Sequence, residues 1–396
     1  MKNRLQGWFT ATVVVLAGTD GGMETPVHAD EPKGDATGIP LRTEGSAVRH
    51  VELRKRIESA PNRAMSRGGL AGAMGGVNVK VIASAPQEII LPIPQLTGGQ
   101  VPVSLFVRCD PPNAVSEYRL VDREDGNVVL HARLIGKSQD VRIEWSSVVL
   151  LSNNAVTPNP EPPEAFRSAT GCVQARSAEV KKLAEELWPT TGKPTEFAAN
   201  IQRHVREMKR VAQPRSLDAV AILKSGMNGI CTANANLAAA LMRSKGIACR
   251  SMAVIPTNGM KLEMHRIVEF FDDGKWTAFD PSSLTADIPA KPWRNIVMTK
   301  TTTRDEETAM KPRMGVMVGC PYGQELELLT PGAMLFGQDF FWTTSKPLAE
   351  FDATEAAASD ARAKWETFLK SGSIDQSSVD ARTARTSEEF TELLKH

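Results

Sequence analysis

A cysteine at the expected start of a helix is the first residue in this sequence that could act as a nucleophile. Cys231 follows the loop-forming pair Asn228-Gly229, and the residues from Ala233 to Met242 are rich in strong helix formers. The free N–H groups at a helix N-terminus stabilise a thiolate, and they can also bind an oxyanion. A cysteine in such a position more often only fills space in a core, so a catalytic role needs a second feature.

The second feature is a histidine and an aspartate that flank a predicted β-hairpin. Asp273-Gly274 is a strong signal for a two-residue turn between two β-type runs. With that turn Phe271 pairs with Trp276, and His265 and Asp280 become diagonal neighbours whose Cβ atoms lie about 7–8 Å apart. A three-residue loop would break this arrangement. Taken singly, His265 also fits a solvent-facing strand position, and Asp280 also fits an ordinary turn position.

A thiol, an imidazole and a carboxylate can together perform acyl transfer. The imidazole removes the thiol proton, and the carboxylate fixes the imidazole tautomer and stabilises its charged form. Attack on an amide carbonyl forms a thioester, which water resolves by hydrolysis and a lysine amine resolves by crosslinking. Among the other histidines the nearest competitor for the base is His204, which lies among charges on a predicted helix. The residues therefore predict Cys231 as the nucleophile, His265 as its base and Asp280 as the orienting acid, with both acceptors left open.

The elements that must position these residues follow from the pattern along the chain. The 396 residues suffice for two or three domains, and a hydrophobic fraction of 41% supports buried cores. Short β-type runs separated by turn signals predict a small all-β, sandwich-like region, and helical spacing begins at Ala178–Leu187. The expected order is a poorly ordered Gly-rich and charged segment at 30–76, a β domain at 77–155, a Pro-rich linker at 156–166, the domain with the candidate triad at 167–350, and a C-terminal helical region at 351–396.

The first 29 residues resemble a secretory signal peptide. Lys2 and Arg4 supply positive charge, FTATVVVLAG supplies a short apolar run, and Val27-His28-Ala29 offers a cleavage site before Asp30. The apolar run is well short of the ~18 residues that a membrane-spanning helix needs. We therefore expect an exported protein, in the periplasm, the cell envelope or outside the cell, without stable membrane insertion after cleavage. An uncleaved membrane anchor is the alternative.

The charge balance excludes one class of partner. Lys and Arg number 47 against 46 for Asp and Glu, a formal net charge of +1, which gives no electrostatic case for binding nucleic acid. The expected partner is a protein or peptide substrate. The sequence does not indicate an oligomeric state.

The cysteines leave at least one thiol unpaired. There are five of them, at Cys109, Cys172, Cys231, Cys249 and Cys320. Four of them allow one or two disulfides, and a bridge between Cys231 and Cys249 is an alternative that would remove the nucleophile. Their spacing does not fit a zinc site, so we expect no metal and no organic cofactor.

The stretch from Ser177 to Ser283 resembles the transglutaminase-like superfamily. The resemblance rests on Gly229-Ile230-Cys231 opening a helix, on the run AALMRSKGIACR that follows, on His265 with Glu269 in a strand, and on Phe279-Asp280-Pro281. It implies an α+β fold of the papain type, in which a helix carrying Cys packs on an antiparallel sheet carrying His and Asp. It also implies that Cys231, His265 and Asp280 form the catalytic triad of a cysteine protease, an amidase or an acyltransferase.

The sequence departs from the superfamily pattern around the triad. Thr232 and Ile267 stand near places where aromatic residues are common, and Ala233 stands where an acidic residue is common. Gln202 and Gln213 are the candidates for a side chain in the oxyanion hole. The alternative function is a binding or scaffold protein that keeps a papain-type fold without catalysis.

Overall fold

The computed structural model describes residues 38–81, 87–122, 126–135, 139–153, 164–210, 217–228, 230–258, 265–285, 287–308, 335–342, 345–372 and 386–395. The expected signal peptide, most of the expected Pro-rich linker, Gln213 and Cys320 lie outside these residues. In the ranges described, none of the helices combines the length and the apolar character needed to cross a bilayer.

The described residues form a mixed α+β structure. The strands are β1 (Ile39–Pro40), β2 (Gly69–Val81), β3 (Gln87–Pro92), β4 (Gln100–Pro102), β5 (Phe106–Asp110), β6 (Val115–Asp122), β7 (Val128–Leu134), β8 (Gln139–Leu151), β9 (Lys209–Arg210), β10 (Met227–Asn228), β11 (Cys249–Pro256), β12 (His265–Asp272), β13 (Lys275–Phe279), β14 (Asn295–Lys300), β15 (Leu335–Trp342) and β16 (Lys346–Glu350). The helices are α1 (Ser46–Ser59), α2 (Ala178–Leu187), α3 (Pro194–Glu207), α4 (Ala219–Ser225), α5 (Cys231–Ser244), α6 (Thr303–Thr308), α7 (Glu355–Ser371) and α8 (Ser387–Lys395), with 3₁₀ turns at Glu164–Arg167 and Pro292–Arg294.

Two antiparallel sheets form the N-terminal β region, which comprises β1 to β8 together with β15 and β16. One sheet has the strand order β1-β6-β7-β3. The other has the order β15-β2-β8-β4, with β16 also paired to β2 and β5 to β8. Apolar residues of both sheets share one hydrophobic core with α1 and α7. An antiparallel β structure ahead of the helical part agrees with the fold class expected from the sequence.

The segment at 30–76, expected to be poorly ordered, contains α1 and the beginning of β2, so this expectation is wrong for those residues. The helix buries Leu53 and Ile57 in the core of the β region. The glycines of β2 leave room for close packing: a Cβ atom added at Gly75 would lie 2.7 Å from the ring of Trp145. The glycine content that suggested disorder is therefore part of a packed sheet.

The end of the chain returns to the β region. The strands β15 and β16 both pair with β2, and the helix α7 buries Trp365 and Phe368 in the same core. The expected boundary at residue 350 therefore falls between elements that pack on one core.

A further sheet, the core sheet, has the antiparallel order β13-β12-β11-β14. Its strands β11 to β13 direct Cys249, Val268, Phe270 and Phe279 into a hydrophobic core that they share with α2, α3, α4 and α5. Most of α5 is buried in this core, including Leu237. The arrangement is a central helix packed on an antiparallel sheet, as the resemblance implies.

Two side-chain amides of the β region cover the outer edge of β14. Gln100 accepts a hydrogen bond from the N–H of Val297 (2.7 Å) and donates one to its carbonyl (2.9 Å). Asn127 does the same with Lys300, accepting at 2.8 Å and donating at 2.9 Å. Each amide pairs with the strand as the backbone of a further strand would, so the edge of the core sheet is satisfied by the neighbouring region.

Candidate active site

The thiol of Cys231 lies at the first residue of α5, as the sequence predicts. The residue before it, Ile230, is the N-cap; its backbone is extended and it makes no side-chain cap hydrogen bond. The helix therefore begins directly at Cys231, and Gly229 of the loop-forming pair lies outside the described residues. Because the side chain of Ile230 has no polar atom, it leaves the N–H groups of the first turn able to face a ligand beside the thiol.

The far end of α5 is anchored by a buried ion pair. The guanidinium of Arg243 contacts both carboxylate oxygens of Glu306 at 2.7 and 2.8 Å and also donates to the carbonyl of Cys249. Both charged side chains are almost fully buried, with 0% and 1% of their surface exposed. The helix that carries Cys231 is thus fixed to α6 and to β11.

The predicted hairpin register is confirmed. Phe271 pairs with Trp276 and Asp272 with Lys275, which leaves a loop of two residues, Asp273 and Gly274. Both loop residues have positive φ, 50° and 72°, as a type I′ turn requires. The ladder ends where Val268 pairs with Phe279, so the chain leaves β13 at Asp280 beside the start of β12.

His265 and Asp280 are hydrogen-bonded. Nε2 of His265 lies 2.8 Å from Oδ2 of Asp280, and the other carboxylate oxygen, Oδ1, accepts the N–H of Ser282 at 2.8 Å. Both side chains keep some contact with solvent, with 26% and 20% of their surface exposed. The hydrogen bond at Nε2 leaves Nδ1 as the ring nitrogen for the thiol.

The thiol and the imidazole shift each other's pKa in opposite directions. Burial acts to raise the pKa of Cys231, but the hydrogen bond and charge of His265, with the N–H of Arg266, outweigh burial and hold the pKa below its ordinary value. Burial acts to lower the pKa of His265, yet its hydrogen bonds with Asp280 and Cys231 raise it to about 10. These shifts favour a thiolate beside an imidazolium.

Of the other two candidate residues described, Gln202 lies beside the triad and His204 lies apart from it. Gln202 is buried on α3, and its Nε2 donates to the backbone carbonyl of Asp280 at 2.9 Å, so its amide N–H faces the turn of the acid. His204 lines a separate open cleft between α2, α3 and α4.

Asn234 is a residue of the site that the sequence reading missed. Its Nδ2 lies 2.9 Å from Oγ of Ser282, two residues after Asp280. The available signal was its spacing, because a residue three positions after Cys231 on a helix lies on the same face.

The four cysteines described, Cys109, Cys172, Cys231 and Cys249, form no disulfide with one another. A bridge between Cys231 and Cys249 is therefore not formed. Cys249 lies on β11 beneath α5, where burial raises the pKa of its thiol to about 12. The partly exposed thiol among these four is Cys231, and the other three are buried.

A cleft of about 400 Å³ lies against the face of the core sheet that points away from α5. Met252, Ile267 and Val297 line it, together with residues 97–100 of the β region. Cys231, His265 and Asp280 are not among its lining residues. The cleft is therefore separate from the thiol–imidazole pair.

Comparison with known protein families gives a match for the central segment of the chain. Residues 181–281, less than half of the chain, match the model of the transglutaminase-like superfamily. This segment runs from α2 to the residue after Asp280 and includes Cys231 and His265. A search of curated proteins finds no match.

Three solved structures show limited similarity. A candidate cysteine protease from Cytophaga hutchinsonii is 13% identical with a TM-score of 0.49, over 70% of this chain and 91% of that one. A candidate protease from Parabacteroides distasonis is 16% identical with a TM-score of 0.24, over 54% and 43%. A TGase is 13% identical with a TM-score of 0.24, over 44% and 46%. These values are too low to transfer an activity, and the similarity to the transglutaminase-like superfamily rests on residues 181–281 of a mixed α+β chain.

Proposed function

We propose that the protein is a cysteine-dependent acyl-transfer enzyme that acts on amide bonds of proteins or peptides. In this proposal Cys231 is the nucleophile, His265 the general base and acid, and Asp280 the residue that orients His265. The observation that carries it is the 2.8 Å contact between His265 and Asp280, next to a thiol at the start of α5 whose pKa is lowered.

The first half of the reaction forms a thioester. Sγ of the Cys231 thiolate attacks the carbonyl carbon, and the carbonyl electron pair moves onto oxygen. The N–H groups of the first turn of α5 stabilise this oxyanion. When the carbonyl re-forms, the C–N bond breaks, and His265 gives its proton to the leaving amine. Asp280 keeps the imidazole in the tautomer that can exchange a proton with sulfur.

The second half releases the acyl group. An acceptor gives a proton to His265 and attacks the thioester, the C–S bond breaks, and the thiolate returns. A water acceptor yields a carboxylic acid, and a primary amine yields a new amide. We propose water as the acceptor, because Cys231 and His265 are both partly exposed and crosslinking requires a site that shields the thioester.

The test is trapping of the acyl-enzyme. The protein and its Cys231→Ala variant are incubated with a mixed peptide pool, with and without a labelled primary amine, and analysed by mass spectrometry. We expect an acyl adduct on Cys231 and hydrolysed peptide in both conditions. Incorporation of the amine into peptide products would contradict water as the acceptor and would indicate a crosslinking reaction. Absence of any adduct and of any product would favour a scaffold protein without catalysis.

We also propose that the enzyme works after export. The support is the signal-like run that precedes Asp30. N-terminal sequencing of the protein from the extracytoplasmic fraction tests this: we expect a chain that begins at Asp30, and recovery of the intact chain from the cytoplasm would contradict it.

A further inference from the structure

The turn from Asp280 to Ser282 is held at both ends by side-chain amides from two different helices. Gln202 on α3 donates from Nε2 to the carbonyl of Asp280 at 2.9 Å. Asn234 on α5 donates from Nδ2 to Oγ of Ser282 at 2.9 Å. Neither amide bonds the carboxylate of Asp280 itself: Gln202 holds the backbone at the start of the turn, and Asn234 holds the side chain of Ser282 at its end.

Both amides are buried, and each places its donor on the turn. Gln202 is 0% exposed and Asn234 is 4% exposed. Among the described residues, neither Oε1 of Gln202 nor Oδ1 of Asn234 has a hydrogen-bond partner. Oδ1 of Asn236, a neighbour on α5, is also without a partner among these residues, so it is the donation to the turn that sets Gln202 and Asn234 apart.

Asn234 also links the acid turn to the nucleophile. It lies three residues after Cys231, so the two side chains share one face of α5. The contacts form a closed ring. One helical turn separates Cys231 from Asn234, and hydrogen bonds join Asn234 to Ser282 and Ser282 to Asp280. Two further hydrogen bonds join Asp280 to His265 and His265 to the thiol. If the turn moved relative to α5, the hydrogen bond between His265 and Asp280 would lengthen.

We infer that Asn234 and Gln202 are positioning residues that hold the carboxylate of Asp280 on His265. The hydrogen bond at 2.8 Å tolerates a displacement of only a few tenths of an ångström before it weakens. The inference rests on the proposed function, since it concerns the same thiol–imidazole pair. It adds two residues that bond the turn and that act on Asp280 through it.

The experiment uses two variants and two matched controls. Asn234→Leu keeps the number and branching of the side-chain heavy atoms, Gln202→Leu shortens the side chain by one heavy atom, and both remove the donor. Asn236→Leu is the control on α5, because Asn236 is equally buried and its Nδ2 donates to the carbonyl of Leu217, away from the turn. Asn200→Leu is the control on α3, where the amide donates to the carbonyl of Leu187.

The readout is the pH profile of Cys231 alkylation by iodoacetamide in the folded protein, measured beside a thermal melt. We expect Asn234→Leu and Gln202→Leu to raise the apparent pKa of the thiol by about one unit, which lowers the labelling rate at pH 6 about tenfold. The two controls should keep the wild-type profile even where their melting temperature falls. A merely structural role would lower melting temperatures and leave all four profiles unchanged, and that result would overturn the inference.

A third variant serves if the buried substitutions prevent folding. Ser282→Ala removes the acceptor of Asn234 from a partly buried side chain, and we expect the same direction of shift. An unchanged profile in Ser282→Ala would overturn the role of Asn234. The two proposals fail differently: an ordinary thiol profile in the wild type refutes the proposed function, whereas a lowered wild-type pKa with unchanged variants refutes only this inference.

Discussion

The imidazole of His265 and the carboxylate of Asp280 are 2.8 Å apart, although the whole hairpin of β12 and β13 separates the two residues along the chain. The loop at Asp273 and Gly274 sets the register that brings them together. Because α5 presents Cys231 to the same point, three elements converge: a helix N-terminus, the first residue of a strand, and the turn that follows the next strand.

Replacing the acid by its amide, Asp280→Asn, should weaken the thiolate with little change in the turn. The Oδ1 atom still accepts the N–H of Ser282, but an amide N–H now faces Nε2 of His265. The ring must then carry its proton on Nδ1, where it cannot take the proton of the thiol. We expect the alkylation rate of Cys231 at pH 6 to fall at least about tenfold. The control is Asp287→Asn, which should label at the wild-type rate; equal rates in all three proteins would contradict the role of Asp280.

Removing the thiol should change how the stability of the fold depends on pH. The raised pKa of His265 contributes stability that is fully present below pH 6.5 and is lost as pH rises toward about 10. The lowered pKa of Cys231 contributes stability that is present above pH 9.0 and is lost as pH falls toward its folded-state value. Between these limits the two dependences oppose each other, because the thiol proton passes to the imidazole and the folded state binds few extra protons.

In Cys231→Ala the opposing contribution of the thiol is gone, and the pKa of His265 stays raised only by Asp280. Relative to the wild type, the free energy of unfolding should then fall as pH rises from 6.5 toward 9.0, by at most about 1.4 kcal/mol per pH unit. Urea unfolding at a series of pH values measures the slope. The double variant Cys231→Ala/His265→Ala should return to the wild-type slope. Identical slopes in the wild type and Cys231→Ala would refute the coupled pair.

The ion pair between Arg243 and Glu306 should be essential for stability. Glu306→Gln leaves a buried guanidinium without its counter-charge, and breaking such a pair from one side costs about 3–5 kcal/mol. Urea unfolding is the measurement. The comparison is Glu186→Gln, which removes an exposed ion pair with Lys182 and should cause no measurable change. A loss as small in Glu306→Gln as in the exposed pair would show that the buried pair does not anchor α5.

The amide of Gln100 should support the core sheet from outside. In Gln100→Ala the N–H of Val297 loses its acceptor in a buried place, at a cost of about 1–3 kcal/mol in the free energy of unfolding. The substitution Thr367→Ala, at an exposed position on α7, should stay within about 0.5 kcal/mol of the wild type. If Gln100→Ala is as stable as that control, the amide of Gln100 does not stabilise β14.

The local features of the site could be predicted from the sequence because short-range rules determine them. Asp273-Gly274 selects a two-residue turn, and that turn alone fixes which residues of β12 and β13 face each other. The run of alanines and leucines after Cys231 likewise marks the helix and where it begins. The His265–Asp280 contact follows from the turn, and the position of Cys231 follows from the start of the helix.

The features that escaped prediction depend on partners far away in sequence. The helix α1 lies in a polar segment, and what holds it is the burial of Leu53 and Ile57 against the β region. The glycines of β2 resemble a loop until the ring of Trp145 is placed beside Gly75. Gln202 donates a hydrogen bond to the carbonyl of Asp280, 78 positions away in the sequence, and no periodic pattern predicts a contact over that separation.

The most direct test of the proposed pair is the pH dependence of iodoacetamide labelling at Cys231, in the wild type and in His265→Ala, followed by mass spectrometry of the Cys231 peptide. A thiolate held by His265 predicts rapid labelling well below the ordinary thiol pKa of 9.0, and loss of that rapid phase in His265→Ala. Labelling that follows an ordinary thiol profile in both proteins would contradict the account and leave a transglutaminase-like core without a working nucleophile.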